Sequence, residues 1–423
     1  MHRKPLGNSA RAILSLATWI YVLLTLTSGA FAATEKVLHS FDLNDGAELY
    51  SSLIFDAHGN LYGTTFTGGS GQGQGTVFEL SPASGGNWTE TVLYSFTGGS
   101  DGGNPFAGVI FDSHGNLYGT TEYGGTNSLG TVFKLTPGSG GTWTETVLHS
   151  FAGGTDGQYP DSPLVFDSAG NLYGATFGGG SPSGLGTVFK LRPVGENWKE
   201  NVIHRFKGGR DGAYPFGVVF DTTGALYGAT EQGGSSACQN LGCGTVFKLT
   251  LDANGTWAEQ VLHRLEGGSG GEAPQDSLIF DTAGNLYGTT EFGGGSGCGG
   301  LGCGTVFELS PVSGGGWNAH VIFRFDSTDG AQPFSALALD AAENLYGTTG
   351  HGGSRCGCGT VFELKPPTTG GNWRETVLHR FNPKQGDGSE PLANLVLDAE
   401  GNIYGTTLGG GADEFGIVFE IIP

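Results

Sequence analysis

The sequence predicts an all-β chain, a seven-bladed β-propeller with four-stranded blades, its ring closed by an N-terminal strand that completes blade 7. One run of residues, Gly-Asn-Leu-Tyr-Gly-Thr-Thr in its first copy, recurs seven times. Each copy sits among short strand-like runs, and one such run is displaced to the front of the chain.

The copies start at Gly59, Gly115, Gly170, Gly224, Gly284, Glu343 and Gly401, a period of 54–60 residues. Several short strands per unit at that period indicate a propeller or a solenoid. In the first unit the strands are Leu53–Phe55 (a), Leu61–Thr65 (b), Thr76–Leu80 (c) and Thr91–Phe96 (d). Asp56-Ala57-His58-Gly59 between a and b is a hairpin signal, with glycine available for a positive φ. Runs a and c lack polar alternation, as expected of a sheet buried on both faces. Gly63 lies inside strand b, where a missing side chain is expected to admit a neighbouring backbone.

Counting strands decides between ring and solenoid. There are seven a, seven b and seven c runs, the last c being Ile417–Ile421. Only six d runs follow a c run; the seventh, Val37–Phe41, precedes every a run. Placed beside the last c strand it closes the ring and leaves no bare inner edge. An open solenoid would need polar end caps, and none is visible.

Glycine supplies 81 of 423 residues, but at fixed places beside apolar runs, which is turn chemistry. At the N-terminus His2, Arg3, Lys4 and Arg11 precede an apolar stretch and Ala30-Phe31-Ala32, the pattern of a signal peptide over residues 1–32 ahead of a propeller over 33–423. An uncleaved anchor is the competing reading. Residues 1–32 carry three Lys/Arg and no acid, so their removal takes the net charge from −21 to about −24. So acidic a surface repels phosphate backbones and anionic membranes. The expectation is a secreted, extracellular or periplasmic monomer with no membrane span after cleavage and no nucleic-acid partner.

The repeated Gly-Asn-Leu-Tyr-Gly-Thr-Thr, followed by Gly-Gly and then Gly-Thr-Val-Phe-Glu/Lys-Leu, resembles the GloVer (Gloeobacter/Verrucomicrobia-type) repeat of secreted "choice-of-anchor" proteins. The match covers almost the whole mature chain. Through Asp-x-x-Gly-Asn-Leu-Tyr it is similar, more loosely, to NHL-type propellers. The resemblance implies a β-propeller and brings no activity and no catalytic residues. No C-terminal sorting segment follows the last strand, which favours release over tethering.

In a propeller the d–a and b–c connections share one face. The d–a loops repeat Asp-Gly-x-x-Pro, as at Asp101–Pro105 and Asp211–Pro215. One carboxylate per loop is turn chemistry, with Asp capping, Gly at positive φ and Pro fixing the strand start; it is not a calcium ligand cluster. Beside the proline stand Phe106, Tyr159, Tyr214, Phe216 and Phe334, either packing over the blade rims or available to stack on a ligand. After strand b three blades place Glu122, Glu231 and Glu291, where other blades have Phe66, Phe177, Gly350 and Leu408. A pair of these could act on a glycosidic bond if about 5–10 Å apart; solvated loop charges are the plainer reading.

Six tryptophans at the start of strand d, and the histidines at a position that Tyr94 and Phe323 also fill, read as scaffold. The six cysteines fall in the b–c loops of blades 4, 5 and 6: Cys238/Cys243, Cys298/Cys303 and Cys356/Cys358. An even count in a secreted chain points to disulfides. The C-x4-C pairs could clip their own loops, whereas Cys356-x-Cys358 makes so small a ring that a bridge to an adjacent blade is a second arrangement. Zinc between loops is the alternative.

Nothing in the pattern calls for a cofactor or a metal, and no nucleophile, phosphate-loop or nucleotide motif occurs. The leading functional reading is a binding scaffold for an extracellular glycan or protein. A polysaccharide hydrolase or lyase using the loop carboxylates, and an adhesive surface component, are the alternatives. The ring argument makes one prediction: deleting Thr34–Phe41 exposes the c-strand edge of blade 7 and lowers the melting temperature or causes aggregation. An unchanged melting temperature would remove the N-terminal strand from the ring.

Overall fold

Each blade begins with a hairpin that its own sequence dictates. The Asp56 carboxylate accepts the backbone N–H of His58 (2.8 Å) and Asn60 (2.9 Å) through one oxygen. The other oxygen takes the Asn60 side-chain amide (2.9 Å) and the Tyr62 hydroxyl (3.4 Å). One carboxylate therefore fixes the a–b turn, and this explains why Asn and Tyr recur around the leucine. Asp112, Asp167, Asp281, Asp340 and Asp398 repeat the arrangement.

The computed structural model describes residues 33–423 apart from 239–240, 354 and 369; the expected signal peptide, residues 1–32, lies outside the described residues. Blade 1 runs Ile54–Phe55, Leu61–Thr65, Thr76–Pro82 and Trp88–Ser95, antiparallel in the order a-b-c-d. Five more sheets repeat it. Blade 7 has Val396–Leu397, Ile403–Thr406 and Ile417–Ile422, with Thr34–Ser40 as its outer strand. Thr34 pairs with Ile422 and Ser40 with Ile417. The four-stranded, seven-bladed ring read from the strand count is thus present. No described helix is long and apolar enough to cross a membrane.

Strand b is buried at every residue in blade 1, as a sheet covered on both faces requires. Gly63 admits something other than the expected backbone. A Cβ there would lie 2.7 Å from the Phe78 ring tip and 3.0 Å from Leu53. Gly63 faces Phe78 across the b–c ladder, and the phenyl ring lies over the glycine. The same phenylalanine covers the glycine in the other six blades, with a backbone carbonyl close by only at Gly228. These rings are the largest fully buried side chains of the core, joined by Phe41, Phe96 and their repeats.

Strand d carries a bulge: Phe78 pairs with Val92 and Val77 with Tyr94, so Leu93 is the extra residue. A bulge re-aims the next side chain. Here it turns Tyr94, or His39, His149 and His379 at the same position, onto the aspartate of the following loop. The distances are 3.1 Å for Tyr94–Asp101, 2.9 Å for His39–Asp45, 3.2 Å for His149–Asp156 and 2.9 Å for His379–Asp387. The tryptophans that start strand d pack edge-on against a tyrosine of the preceding blade, as Trp198 does on Tyr118 at 6.1 Å. The repeated Asp, His and Trp are therefore scaffold.

A glutamate of the next blade's strand d completes each such group. Glu90 faces Asp45, Glu145 faces Asp101, Glu200 faces Asp156, Glu259 faces Asp211, Glu375 faces Asp329 and Glu35 faces Asp387. Oε1 of each glutamate is buried without a hydrogen-bond partner. The seventh interface has Gly270 in place of the aspartate and Ala319 in place of the glutamate, and a cavity of about 140 Å³ between them. Both acids are missing together, so the two occur as a pair of facing carboxyls, in which the charge of the aspartate favours the protonated glutamate.

This pairing sets a pH dependence. Burial, and next the facing aspartate, raises Glu90, Glu145, Glu200 and Glu375 to about 7. Glu35 rises to about 6, and Glu259 rises also. His39, His149, His204 and His379 oppose the shift at their own interfaces, as do Arg205, Arg264, Lys207 and Arg380. A raised carboxyl means that the folded chain holds more protons than the unfolded one. Stability is therefore greatest in mild acid and is lost as pH rises from about 4.5 to about 7. The turn aspartates, held low by donors such as Asn60 and Asn116, work the other way in stronger acid. The melting temperature should fall by several degrees between mild acid and pH above 7, and replacing Glu90, Glu145, Glu200 and Glu375 by Gln should flatten the profile. A melting temperature that rises over this range would contradict the raised glutamates.

Candidate binding site at the channel mouth

The d–a loop makes the join between blades. The proline packs on the glycine that opens strand c of the blade before: a Cβ on Gly75 would lie 2.7 Å from Pro105, and one on Gly130 2.5 Å from Pro160. Leu49 takes the place of Pro against Gly416 at the ring closure. The expected positive φ at the Asp-Gly glycine holds at Gly102 and Gly212 but not at Gly157 or Gly388. The residue that is left-handed in all seven blades is the one before the proline: Glu48, Asn104, Tyr159, Tyr214, Ala273, Gln332 and Glu390, with φ between 55° and 60°. Its backbone explains the conformation. The Asn104 N–H donates to Gln74 of the preceding blade (2.7 Å), and its carbonyl accepts from Glu122 in its own blade (3.0 Å). The other joins repeat this, with Glu48 donating to Phe415 at the closure (3.1 Å).

Three positions per blade thus meet around the channel: the left-handed residue, the residue after the proline, and the residue after strand b. They are where the repeats differ most in chemistry. Phe106, Phe216 and Phe334 follow a proline, as do Asp161, Gln275 and Leu392, and Tyr50 holds the same position after Leu49. Tyr159 and Tyr214 are left-handed residues, and Glu122, Glu231 and Glu291 follow strand b. All five aromatics named from the sequence are half-buried. They do not simply cover the blade rims: Tyr50 stacks on Phe106 at 4.7 Å and Phe177 on Tyr214 at 4.6 Å, while Phe216 lies edge-on at 5.9 Å. Tyr159 packs on the exposed Tyr123 at 5.6 Å. Gly350 leaves room for Leu392 and Phe334 to meet.

At the centre is a cavity of about 30 Å³, lined by Tyr50, Phe106, Phe216, Asp161, Gln275, Asp276 and Asn394 among others, with no basic side chain. Asp161 is half-buried, its Oδ1 lies out of solvent with no hydrogen-bond partner, and burial followed by the Glu122 charge holds its pKa well above the usual carboxylate range. Asp276, half-buried, is raised by desolvation to about 6 against donors that favour its charge: the backbone N–H of Ser277 (2.5 Å) and Ala336 (3.1 Å), and Asn394. The sequence reading missed Tyr50, Asp161 and Asp276. Alignment of the blades on the proline would have found Tyr50 and Asp161, because each occupies the position of Phe106.

The three candidate glutamates separate. Glu122 belongs with Tyr123 and Asp161, its pKa raised by burial. Glu231 and Glu291 lie on adjacent blades, and the charge of Glu231 reaches Glu291. Glu291 rises to about 7 through burial and then the charges of Glu231 and Glu272. The Gln275 and Gln332 amides, each 3.1 Å away, donate to its two oxygens and oppose that rise. Glu231 is raised by burial, with Gln232 opposing. These are two carboxyls in unequal environments, the arrangement that separates a proton donor from a base.

The cysteines pair within their own loops, Cys238–Cys243, Cys298–Cys303 and Cys356–Cys358, and none is free among the described residues. The bridge from Cys356 to an adjacent blade is not formed, because Gly357, at φ 69°, folds the chain so that Cys356 and Cys358 meet. Disulfide sulfurs also leave no thiolates for zinc between the loops.

One measurement tests the electrostatics of the pair. Glu231→Gln should lower the pKa of Glu291 from about 7, and Gln332→Leu should raise it, as followed by carbon NMR of the carboxyl. A pKa that moves with neither change would mean that burial alone sets it.

Solved structures resemble the chain in fold alone. The extracellular domain of a one-component system from B. thetaiotaomicron aligns over 90% of this chain at 12% identity and a TM-score of 0.53; the chain spans only 40% of that protein. PorZ, a surface component of the type-IX secretion system of Porphyromonas gingivalis, aligns over 90% of this chain and 47% of its own at 15% identity and a TM-score of 0.48. A Thermus thermophilus glucose dehydrogenase aligns over 75% and 96% at 16% identity and a TM-score of 0.43. No curated protein sequence matches. The profile of the Gloeobacter/Verrucomicrobia repeat matches residues 22–241 and 236–423, and the chain belongs to that repeat family.

Proposed function

We propose that this propeller is a binding protein of a compartment outside the cytoplasm, and that its channel-mouth face takes an extracellular polysaccharide. One observation carries the reading. Around the channel, three positions per blade keep the same backbone and change side chain freely, and they hold paired aromatic faces beside carboxylates. Aromatic faces flanked by hydrogen-bonding groups suit sugar rings. Three disulfides support an oxidising compartment. A glycan array with the mature chain should give binding. Phe106→Ala and Tyr214→Ala should each weaken it by roughly two- to tenfold, whereas Trp198→Ala should lower stability first. Binding unaffected by both mouth variants would remove the site from this face.

The coupling of Glu291 to Glu231 favours a second reading, hydrolysis of the bound polysaccharide with Glu291 as proton donor and Glu231 as its base or nucleophile. Product from a bound glycan, lost in Glu291→Gln while binding persists, would establish it. Binding without product would leave the scaffold role.

A further inference from the structure

We infer that the polysaccharide carries free amino groups and that Asp161 is the counter-ion that seats one of them; this rests on the polysaccharide-binding reading above. Asp161 is the anomaly of the mouth. At its position the other blades have Tyr50, Phe106, Phe216, Phe334, Leu392 and Gln275, so the scaffold has no need of a carboxyl there. Its Oδ1 lies out of solvent without a hydrogen-bond partner, a desolvation cost that a cationic donor at the cavity would offset.

The surroundings define what answers it. No lysine, arginine or histidine lines the cavity, and Glu122 adds a second negative charge, so an anionic sugar is repelled. A calcium ion wants six to eight oxygens, whereas Tyr50, Phe106 and Phe216 line this cavity with rings. Ring faces attract an ammonium group, which also carries the donors that Asp161, Asp276 and the Asn394 amide oxygen can accept. About 30 Å³ admits a group of about the size of a water molecule or two and excludes a sugar ring. The ring therefore lies across the aromatic pairs outside while its amine points in. A lysine side chain carries the same cation, but paired flat faces match a sugar ring better than a peptide backbone. The net charge of −21 draws a polycation to the face.

The test titrates the full mature chain, near neutral pH, with short oligomers of glucosamine, of N-acetylglucosamine and of lysine. The two sugars share a ring and differ in the charge. The glucosamine oligomer should bind about tenfold tighter or more, the worth of one charge-assisted hydrogen bond in a desolvated site. Asp161→Asn should erase that preference, and Asp161→Phe, which restores the residue of three other blades, should erase it without loss of melting temperature. Glu400→Gln, exposed at an a–b turn on the far face, should keep it. Equal binding of the two sugars, an unchanged preference in both Asp161 variants, or a lysine oligomer bound more tightly than glucosamine would each overturn the inference while leaving the polysaccharide reading intact. No binding of any sugar, on the array or here, would overturn both.

Discussion

The left-handed residue before the proline is the constraint on which the ring depends. Its N–H is committed to the preceding blade and its carbonyl to its own, so the seam between blades is made by backbone. Backbone bonding is indifferent to side chain, which is left to reach over the preceding blade, as the Asn104 amide does to the Phe66 carbonyl (3.0 Å) and Tyr214 to the Phe177 ring (4.6 Å). Seven different solutions are tolerated, from Ala273 to Tyr214. A non-glycine residue in this conformation costs of order 1 kcal/mol. The seam over-determines it through two hydrogen bonds and a proline packed on a glycine. Structure is thereby assigned to the main chain and chemistry to what hangs from it, and so the variable residues collect at the channel.

Much of this was legible in the sequence because a repeat is its own comparison set. Seven copies of Leu-Tyr-Gly-Thr-Thr located strand b to the residue in blade 1, and the missing d run located the closing strand. What escaped was set by tertiary contact. Gly63 announced a close approach but not that the approaching group is Phe78, since that needs the b–c register. The strained φ was assigned to the Asp-Gly glycine, the residue that bears positive φ at least cost, whereas the seam places it on Asn104 or Tyr159. Phe106 and Glu122 were legible as departures from the repeat. Asp161 was hidden, because an aspartate after a proline looks like turn chemistry until its place at the cavity is seen. Gly357 hid the Cys356–Cys358 closure, which depends on one residue's φ.

The same logic of copies separates two kinds of acid in a strongly acidic chain. The rim glutamates recur with their aspartates and vanish with them at Gly270 and Ala319, which marks them as parts of the scaffold. Glu122, Asp161, Glu231 and Glu291 occur where other blades have rings, glycine, glutamine or leucine, and no copy shares their surroundings. Burial raises the pKa in both groups, so a shifted pKa alone does not identify a site here. Departure from the repeat does.

The pairing of Thr34–Ser40 with Ile417–Ile422 has a consequence in time. A chain made from its N-terminus presents Thr34–Ser40 long before Ile417–Ile422, the strand that receives it, exists. Blades 1 to 6 can each form from local hairpins as they emerge, but Thr34–Ser40 must wait, unpaired, for the last residues to arrive. Closing so long a loop costs little more entropy than closing a shorter one, since the cost grows only logarithmically. The order of events is nonetheless fixed: the ring can close only once Ile417–Ile422 has been made. A chain cut short before Ile417 leaves Thr34–Ser40 without its partner strand and the ring with an unpaired edge.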